Sequence, residues 1–235
     1  MPGLFYGIGI GPGDPELLTI KASRLLGEVD VVAVPVAGKN RDSTAFKIAR
    51  RYINPRSELL ALAFPMTQDQ NELEQAWEKA RKLIRETLDN NHSIAFITLG
   101  DPMLYSTYIY LYQYLLASGY SVQTVSGINS FSAAAAAAGI PLTYGNEKMA
   151  VLPAEVIPTM EARELQSFET LVIFKVARCF DQVVSILKKV GRLKNTVMVV
   201  NCGQSGEKIF NDLTKVEEQD LSYFSLIISR KEPVN

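Results

Sequence analysis

The chain has 235 residues, 47% hydrophobic and 21% charged, enough apolar material for one large or two medium globular cores. Its 24 Lys and Arg against 25 Asp and Glu argue against nucleic acid or an anionic membrane surface as the general partner. Two cysteines, Cys179 and Cys202, and one histidine, His92, offer no metal-ligand spacing, so no zinc site is expected.

Leu4 to Ile10 alternates glycine with large apolar residues and continues into Gly11-Pro12-Gly13-Asp14-Pro15. This predicts a first strand, a glycine-rich turn and a helix with Asp14 as N-cap and Pro15 at its first position. The glycines do not complete a dinucleotide fingerprint: counted from Gly7 the sixth position is Pro12, and counted from Gly9 it is Asp14. They serve ligand approach and plain turn geometry equally well. Leu17 to Glu28 is amphipathic, and Val29 to Val36 reads as a second, fully buried strand. A loop with Lys39 and Arg41 follows, then a helical stretch from Ser43 to Tyr52 and a third strand from Glu58 to Phe64. Asn71 to Leu88 is the clearest helix, with Leu73, Ala76, Trp77, Ala80, Leu83, Ile84 and Leu88 on one stripe among charges. His92 sits in a polar loop and is expected in solvent.

Ile94 to Leu99 is the fourth strand; it stops at Gly100-Asp101-Pro102, and Met103 to Leu116 reads as an aromatic-rich helix. In parallel α/β sheets ligands settle outside the carboxyl ends of strands, where Gly lets the backbone come close and Asp offers an anionic acceptor. The bend is therefore a candidate ligand floor, although the same residues also end strands in ordinary turns. Tyr105, Tyr108 and Tyr112 share a helical face suited to packing. Val122 to Val125 is apolar again, followed by Ser126-Gly127-Ile128-Asn129-Ser130-Phe131 and a helix with six consecutive alanines, Ala133 to Ala138, that allows close packing at a junction.

From Met149 the rhythm changes. Met149 to Pro153, Glu169 to Val176, Thr196 to Asn201 and Tyr223 to Ser229 read as strands, with a helix from Phe180 to Val190, which predicts a mixed sheet. The fold class is α/β, with two α/β domains, residues 1–118 and 119–235, and a hinge at Ser118 to Tyr120. No apolar run reaches the roughly 20 residues that cross a bilayer. With no signal-peptide pattern at the start, both cysteines are expected as thiols in a soluble, reducing, cytoplasmic setting.

Three of these segments, Gly9-Ile10-Gly11-Pro12-Gly13-Asp14-Pro15-Glu16-Leu17-Leu18-Thr19, Gly100-Asp101-Pro102 and Ser126-Gly127-Ile128-Asn129-Ser130, occur in the order and spacing of the tetrapyrrole methylases, and the chain resembles that family over most of its length. Gly-Asp-Pro-Met-Leu-Tyr-Ser-Thr with Gly-Ile-Asn-Ser-Phe looks most like the members that methylate C20 of precorrin-2 or cobalt-factor II in cobalamin biosynthesis. Sirohaem-forming members carry a Tyr-Asp pair after the second strand; this chain reads Val34-Pro35 there, which argues against C2/C7 methylation of uroporphyrinogen.

The resemblance implies S-adenosylmethionine (SAM) as co-substrate, folded in a cleft between the two domains. It implies contacts from Pro12, from Leu99, Gly100 and Asp101 through main-chain groups, and from Leu104 and Tyr105 as lining. Asn129 and Ser130 would meet polar atoms, and Val176, Cys202 and Gly203 would flank the adenine. It also implies a tetrapyrrole substrate, with Lys39, Arg41, Lys175 and Arg178 as candidates for its carboxylates, and a homodimer. The proton lost from the acceptor has Asp101, Tyr105 or water as candidate destinations, and no catalytic base is assigned. Two other readings are a family member acting at a different ring carbon and a nucleotide-binding oxidoreductase built on the first glycine-rich turn.

Overall fold

The computed structural model describes residues 3–36, 43–65, 67 and 69–232, and these form two compact units, Met1–Asn129 and Ser130–Asn235. The first unit runs β1 (Phe5–Gly9), α1 (Ile20–Leu26), β2 (Val31–Val36), α2 (Thr44–Ala49), β3 (Glu58–Ala63), α3 (Gln70–Asp89), β4 (Ile94–Thr98), α4 (Tyr108–Ala117) and β5 (Val122–Val125). The five strands are all parallel, in the order β3-β2-β4-β1-β5. Such a sheet must be covered on both faces, which is why its strands read as nearly unbroken apolar runs.

Strand alternation sorts the side chains into two cores. Ile8, Val32, Val34, Ala95 and Ile97 meet Ala22, Leu25 and Leu26 of α1 and Ala45, Ile48 and Ala49 of α2. Phe5, Val31, Ala33 and Phe96 meet Ala80, Ile84 and Leu88 of α3 and Tyr108, Leu111 and Leu115 of α4. Right-handed crossovers explain the sorting: the chain steps from β1 through β2 to β3 over one face, then from β3 through β4 to β5 over the other. The direction reverses between β2 and β4, and there the sheet opens. The two strands pair only from Val31–Ile94 to Ala33–Phe96, whereas β2 and β3 stay paired to Val36–Ala63. Pro35, which has no N–H to give, lies in the stretch that β4 leaves unpaired.

The second unit runs α5 (Ser130–Ala138), β6 (Met149–Pro153), α6 (Ala162–Leu165), β7 (Thr170–Phe174), α7 (Phe180–Lys189), β8 (Thr196–Val200), β9 (Lys208–Phe210) and β10 (Ser225–Arg230). Its sheet, ordered β6-β7-β10-β8-β9, is mixed: β6 and β7 are parallel and the other pairs antiparallel. The alanine helix α5 lays Ala134 and Ala135 on Val197, Val199, Leu226 and Ile228, so its small side chains serve close approach to this sheet. α7 covers the opposite face through Phe180, Val183 and Leu187. Arg192 is fully buried, and its Nη1 and Nη2 donate to the carbonyls of Leu165, Phe168, Glu169 and Ser229 at 2.8–3.2 Å. Desolvation lowers this guanidinium to about 10, so it remains a cation at neutral pH.

Several boundaries differ from the sequence reading. Asp14 does cap, but it caps a 3-10 turn, Pro15–Leu17; α1 starts five residues later under Thr19, whose hydroxyl accepts from the Ala22 N–H at 3.2 Å. The helix expected from Met103 starts only at Tyr108, because residues before it are held in turns, so Tyr105 does not share a helical face with Tyr108 and Tyr112. Val122–Val125 pairs with β1, so the compact units divide after Asn129 rather than at the expected hinge of Ser118 to Tyr120.

Candidate functional site

The carboxyl ends of β1, β4 and β5 meet at three glycines, and Gly9 and Gly127 leave room for each other and for the Gly100 carbonyl. A β-carbon on Gly127 would lie 2.1 Å from the Gly100 carbonyl oxygen and 2.8 Å from the Gly9 Cα. One on Gly9 would lie 2.6 Å from both that oxygen and the Gly127 nitrogen. Gly100, at φ +65°, donates its N–H to the Gly11 carbonyl at 2.8 Å, and a β-carbon there would meet only the Ile128 oxygen, 4.0 Å away. The main chain at Gly100 is thus fixed behind and open in front. Gly7 has a separate reason: the ring of Tyr108 occupies the place of its missing side chain, 2.0 Å from a built β-carbon. Tyr108 stacks between Phe5 and Phe96 and exchanges a 2.7 Å hydrogen bond with the Thr124 hydroxyl; burial pushes its phenol above the ordinary value.

Asp101 binds the loop to itself. Its Oδ1 accepts from the Met103 N–H at 2.8 Å and its Oδ2 from the Gly127 N–H at 3.0 Å, so both oxygens are engaged by main chain. The carboxylate of Asp101 thereby shapes the bend itself. Ser106 plays the matching part on the other side of Leu104-Tyr105. Buried, its hydroxyl lies 3.0 Å from the Thr98 hydroxyl and accepts from the Tyr108 N–H at 3.1 Å. Between these clamps Tyr105 adopts φ +51°, a left-handed conformation, with its side chain about half exposed.

Of the expected contacts, Leu99, Gly100, Asp101 and Leu104 lie on this bend, partly buried. Pro12 follows the Gly11 that bridges to Gly100, and Asn129 follows Gly127 by two residues and leads into Ser130, the first residue of α5. In the second unit Val176 and Cys202 with Gly203 follow β7 and β8, parallel strands on either side of β10. Val176 is fully buried in its own core, behind Lys175 at φ +58°. The Gly203 N–H donates to Glu207 at 2.7 Å, and burial, then Glu207, pushes the Cys202 thiol up to about 11. Asn201, at φ +51°, accepts a 2.8 Å hydrogen bond from the Ser222 hydroxyl that ties this loop to the approach of β10.

Lys39 and Arg41 lie outside the described residues; Lys175 and Arg178 are exposed. Sequence reasoning missed Gly9 and Gly127 as mutual packers and Ser106, Asn201 and Ser222 as anchors; glycine at three successive strand ends was the available signal for the first two. Both cysteines are free, and among the described residues no group of three or more His, Cys, Asp or Glu is placed to hold a metal.

The model of the family Tetrapyrrole (Corrin/Porphyrin) Methylases matches residues 4–217. The chain belongs to this family. It is 33% identical over 233 residues to the cobalt-precorrin-2 C(20)-methyltransferase of Salmonella typhimurium, covering 99% of this chain and 98% of the relative. It is 29% identical over 234 residues to the precorrin-2 C(20)-methyltransferase of a Sinorhizobium species, covering 96% and 94%. Its fold is shared with the uroporphyrin-III C-methyltransferase of Thermus thermophilus, solved with S-adenyl homocysteine, at a TM-score of 0.68 and 24% identity over 97% of this chain and 98% of that one. As a tetrapyrrole methylase the chain is not the oxidoreductase its first turn suggested; the glycines there serve the Tyr108 ring and the strand crossing. No helix among the described residues is long and apolar enough to cross a membrane.

Proposed function

We propose that this tetrapyrrole methylase transfers a methyl group from SAM to C20 of precorrin-2 or its cobalt-bearing counterpart in cobalamin biosynthesis. The observation that carries the reading is the 33% identity to the Salmonella typhimurium enzyme, which runs through 99% of the chain. The residues fit the donor: Gly100 offers bare main chain with open space before it, as a ligand rich in hydrogen-bonding atoms requires. Pro12, Leu99, Gly100, Asp101 and Leu104 hold it in the first unit, Asn129 and Ser130 meet its polar atoms, and the loops carrying Val176, Cys202 and Gly203 receive the adenine. Tyr105 stands at the edge of this set.

SAM supplies a methyl group already activated on a positively charged sulfur. The protein is left to position and to exclude water, and orientation alone is worth roughly 7–11 kcal/mol of barrier. Rigidity at Gly100 serves that task, since the bend is fixed by the crossing with Gly9 and Gly127 and by both oxygens of Asp101. Both Asp101 oxygens already accept main-chain N–H groups, and we assign the proton lost from C20 to water. The enzyme is proposed to act in the cytoplasm, as a homodimer. Incubation with methyl-labelled SAM and either metal-free or cobalt-loaded dimethylated acceptor, followed by NMR, is expected to place the new methyl on C20. A methyl on any other ring carbon overturns the assignment.

A further inference from the structure

We propose that Glu207 is a positioning residue for the donor: by holding the Gly203 N–H it sets the shape of the β8–β9 loop against which the adenine is read. The inference rests on the reading of that loop as the seat of the adenine, and adds the side chain that keeps the seat in shape.

β8 and β9 are an antiparallel pair whose last partners are Val200 and Lys208, so residues 201–207 form the hairpin loop between them. Hairpin loops mostly run to about two to five residues, and a longer one calls for its own means of support. This loop has them. Asn201, Gly203 and Gly206 take left-handed φ values of +51°, +72° and +93°. The chain thereby makes two successive turns, closed by the Gln204 N–H on the Asn201 carbonyl at 2.9 Å and the Glu207 N–H on the Gln204 carbonyl at 3.1 Å. Side chains tie both ends. Asn201 Oδ1 accepts the Ser222 hydroxyl at 2.8 Å, and Ser222 is itself fixed by accepting the Phe224 N–H at 3.1 Å. At the other end Glu207 accepts the Gly203 N–H at 2.7 Å, while Lys208, next in the chain, pairs with Asp220 at 2.6 Å.

Glu207 reaches both of the residues that this reading sets against the adenine. Besides the Gly203 N–H it meets the Cys202 thiol: burial first, then the charge of Glu207 and a hydrogen bond with it, push that thiol up to about 11. A carboxylate is the stronger kind of acceptor for a main-chain N–H, so it holds the turn more firmly than a neutral group would. Adenine presents an amino donor beside ring-nitrogen acceptors, a pattern that main-chain carbonyl and N–H groups match only when their spacing is fixed. Glu207 therefore acts on the donor through Cys202 and Gly203, without touching it. Ser222, through Asn201, does the same from the other end of the loop.

The test uses the full chain and three variants: Glu207→Ala, Glu207→Gln, which keeps an acceptor oxygen, and Ser222→Ala, which frees the other end of the loop. S-adenosylhomocysteine and S-inosylhomocysteine, in which a carbonyl acceptor replaces the amino donor, are titrated by calorimetry. KM is measured for SAM and for the dimethylated tetrapyrrole, and folding by thermal unfolding. The wild type is expected to prefer S-adenosylhomocysteine at least tenfold. Glu207→Ala is expected to stay folded, lose at least fivefold in S-adenosylhomocysteine affinity and less than twofold in S-inosylhomocysteine affinity, and raise KM for SAM with KM for the tetrapyrrole within twofold. Ser222→Ala should follow the same pattern at threefold or more, and Glu207→Gln should stay within twofold of the wild type. Unchanged S-adenosylhomocysteine affinity in folded Glu207→Ala and Ser222→Ala, equal losses for the two ligands, or a Glu207→Gln as weak as Glu207→Ala overturns the positioning role and leaves the function standing. A wild type without preference for the adenine ligand overturns the loop as its seat, and one that does not bind S-adenosylhomocysteine overturns the functional reading, and this inference with it.

Discussion

Gly127 has no room for a single added carbon, and its neighbours are backbone, which cannot swing aside. Gly127→Ala is therefore expected to destabilise the protein by about 1–3 kcal/mol or more, read as a lower urea midpoint. Asp101→Ala removes the acceptor for two N–H groups, at a cost of about 1–3 kcal/mol if the Gly127 N–H stays unpaired, and lets the bend relax. SAM affinity is then expected to fall at least tenfold in calorimetry; unchanged affinity in a folded variant would remove the bend from the donor site. Asp30 gives a pH signature. Its carboxylate accepts the Ser93 hydroxyl and N–H, each at 2.7 Å, and these bonds hold its pKa below the ordinary 3.8. The stability it adds is present above that value and lost as pH falls through the lowered one, so the gap in urea midpoint between wild type and Asp30→Asn should close in acid. Sequence pointed to Gly100 and Asp101 but not to the main-chain partners of the carboxylate, because one of them is 26 residues away, just past a strand whose register no local pattern records.

At the level of elements, local signals were true but ambiguous in what they capped. Asp14-Pro15 is a real helix-start signal, and the structure spends it on a single 3-10 turn, while Thr19 starts α1. Thr19→Ala should accordingly cost about 1 kcal/mol, measurable by chemical unfolding, through loss of the bond to the Ala22 N–H. Strands were legible because burial on both faces makes them long apolar runs, and α3 because its stripe is regular. β9, with three residues, and α6, with four, carry too few positions for a period to show. The start of α4 was hidden for another reason: Met103 to Thr107 is apolar and aromatic, yet the Asp101 and Ser106 clamps hold it out of helix.

For the whole molecule, alternation of strand and helix was enough to infer a parallel sheet, but the order β3-β2-β4-β1-β5 rests on which crossover takes which face. The extent of the first unit was misjudged for the same reason, since β5 joins the sheet only by lying beside β1. Buried cations such as Arg192, satisfied by carbonyls of distant segments, leave no mark in sequence at all. The proposed dimer is tested by light scattering, where twice the 26.0 kDa chain mass is expected and a single-chain mass refutes it. The crossing of Gly9, Gly100 and Gly127 bears on synthesis as well as on catalysis. Its three strands come from the beginning, the late middle and the end of the first unit, so a nascent chain cannot shape the bend until residues past 127 have left the ribosome. The bend thus takes its shape in one step, when the last strand of that unit docks.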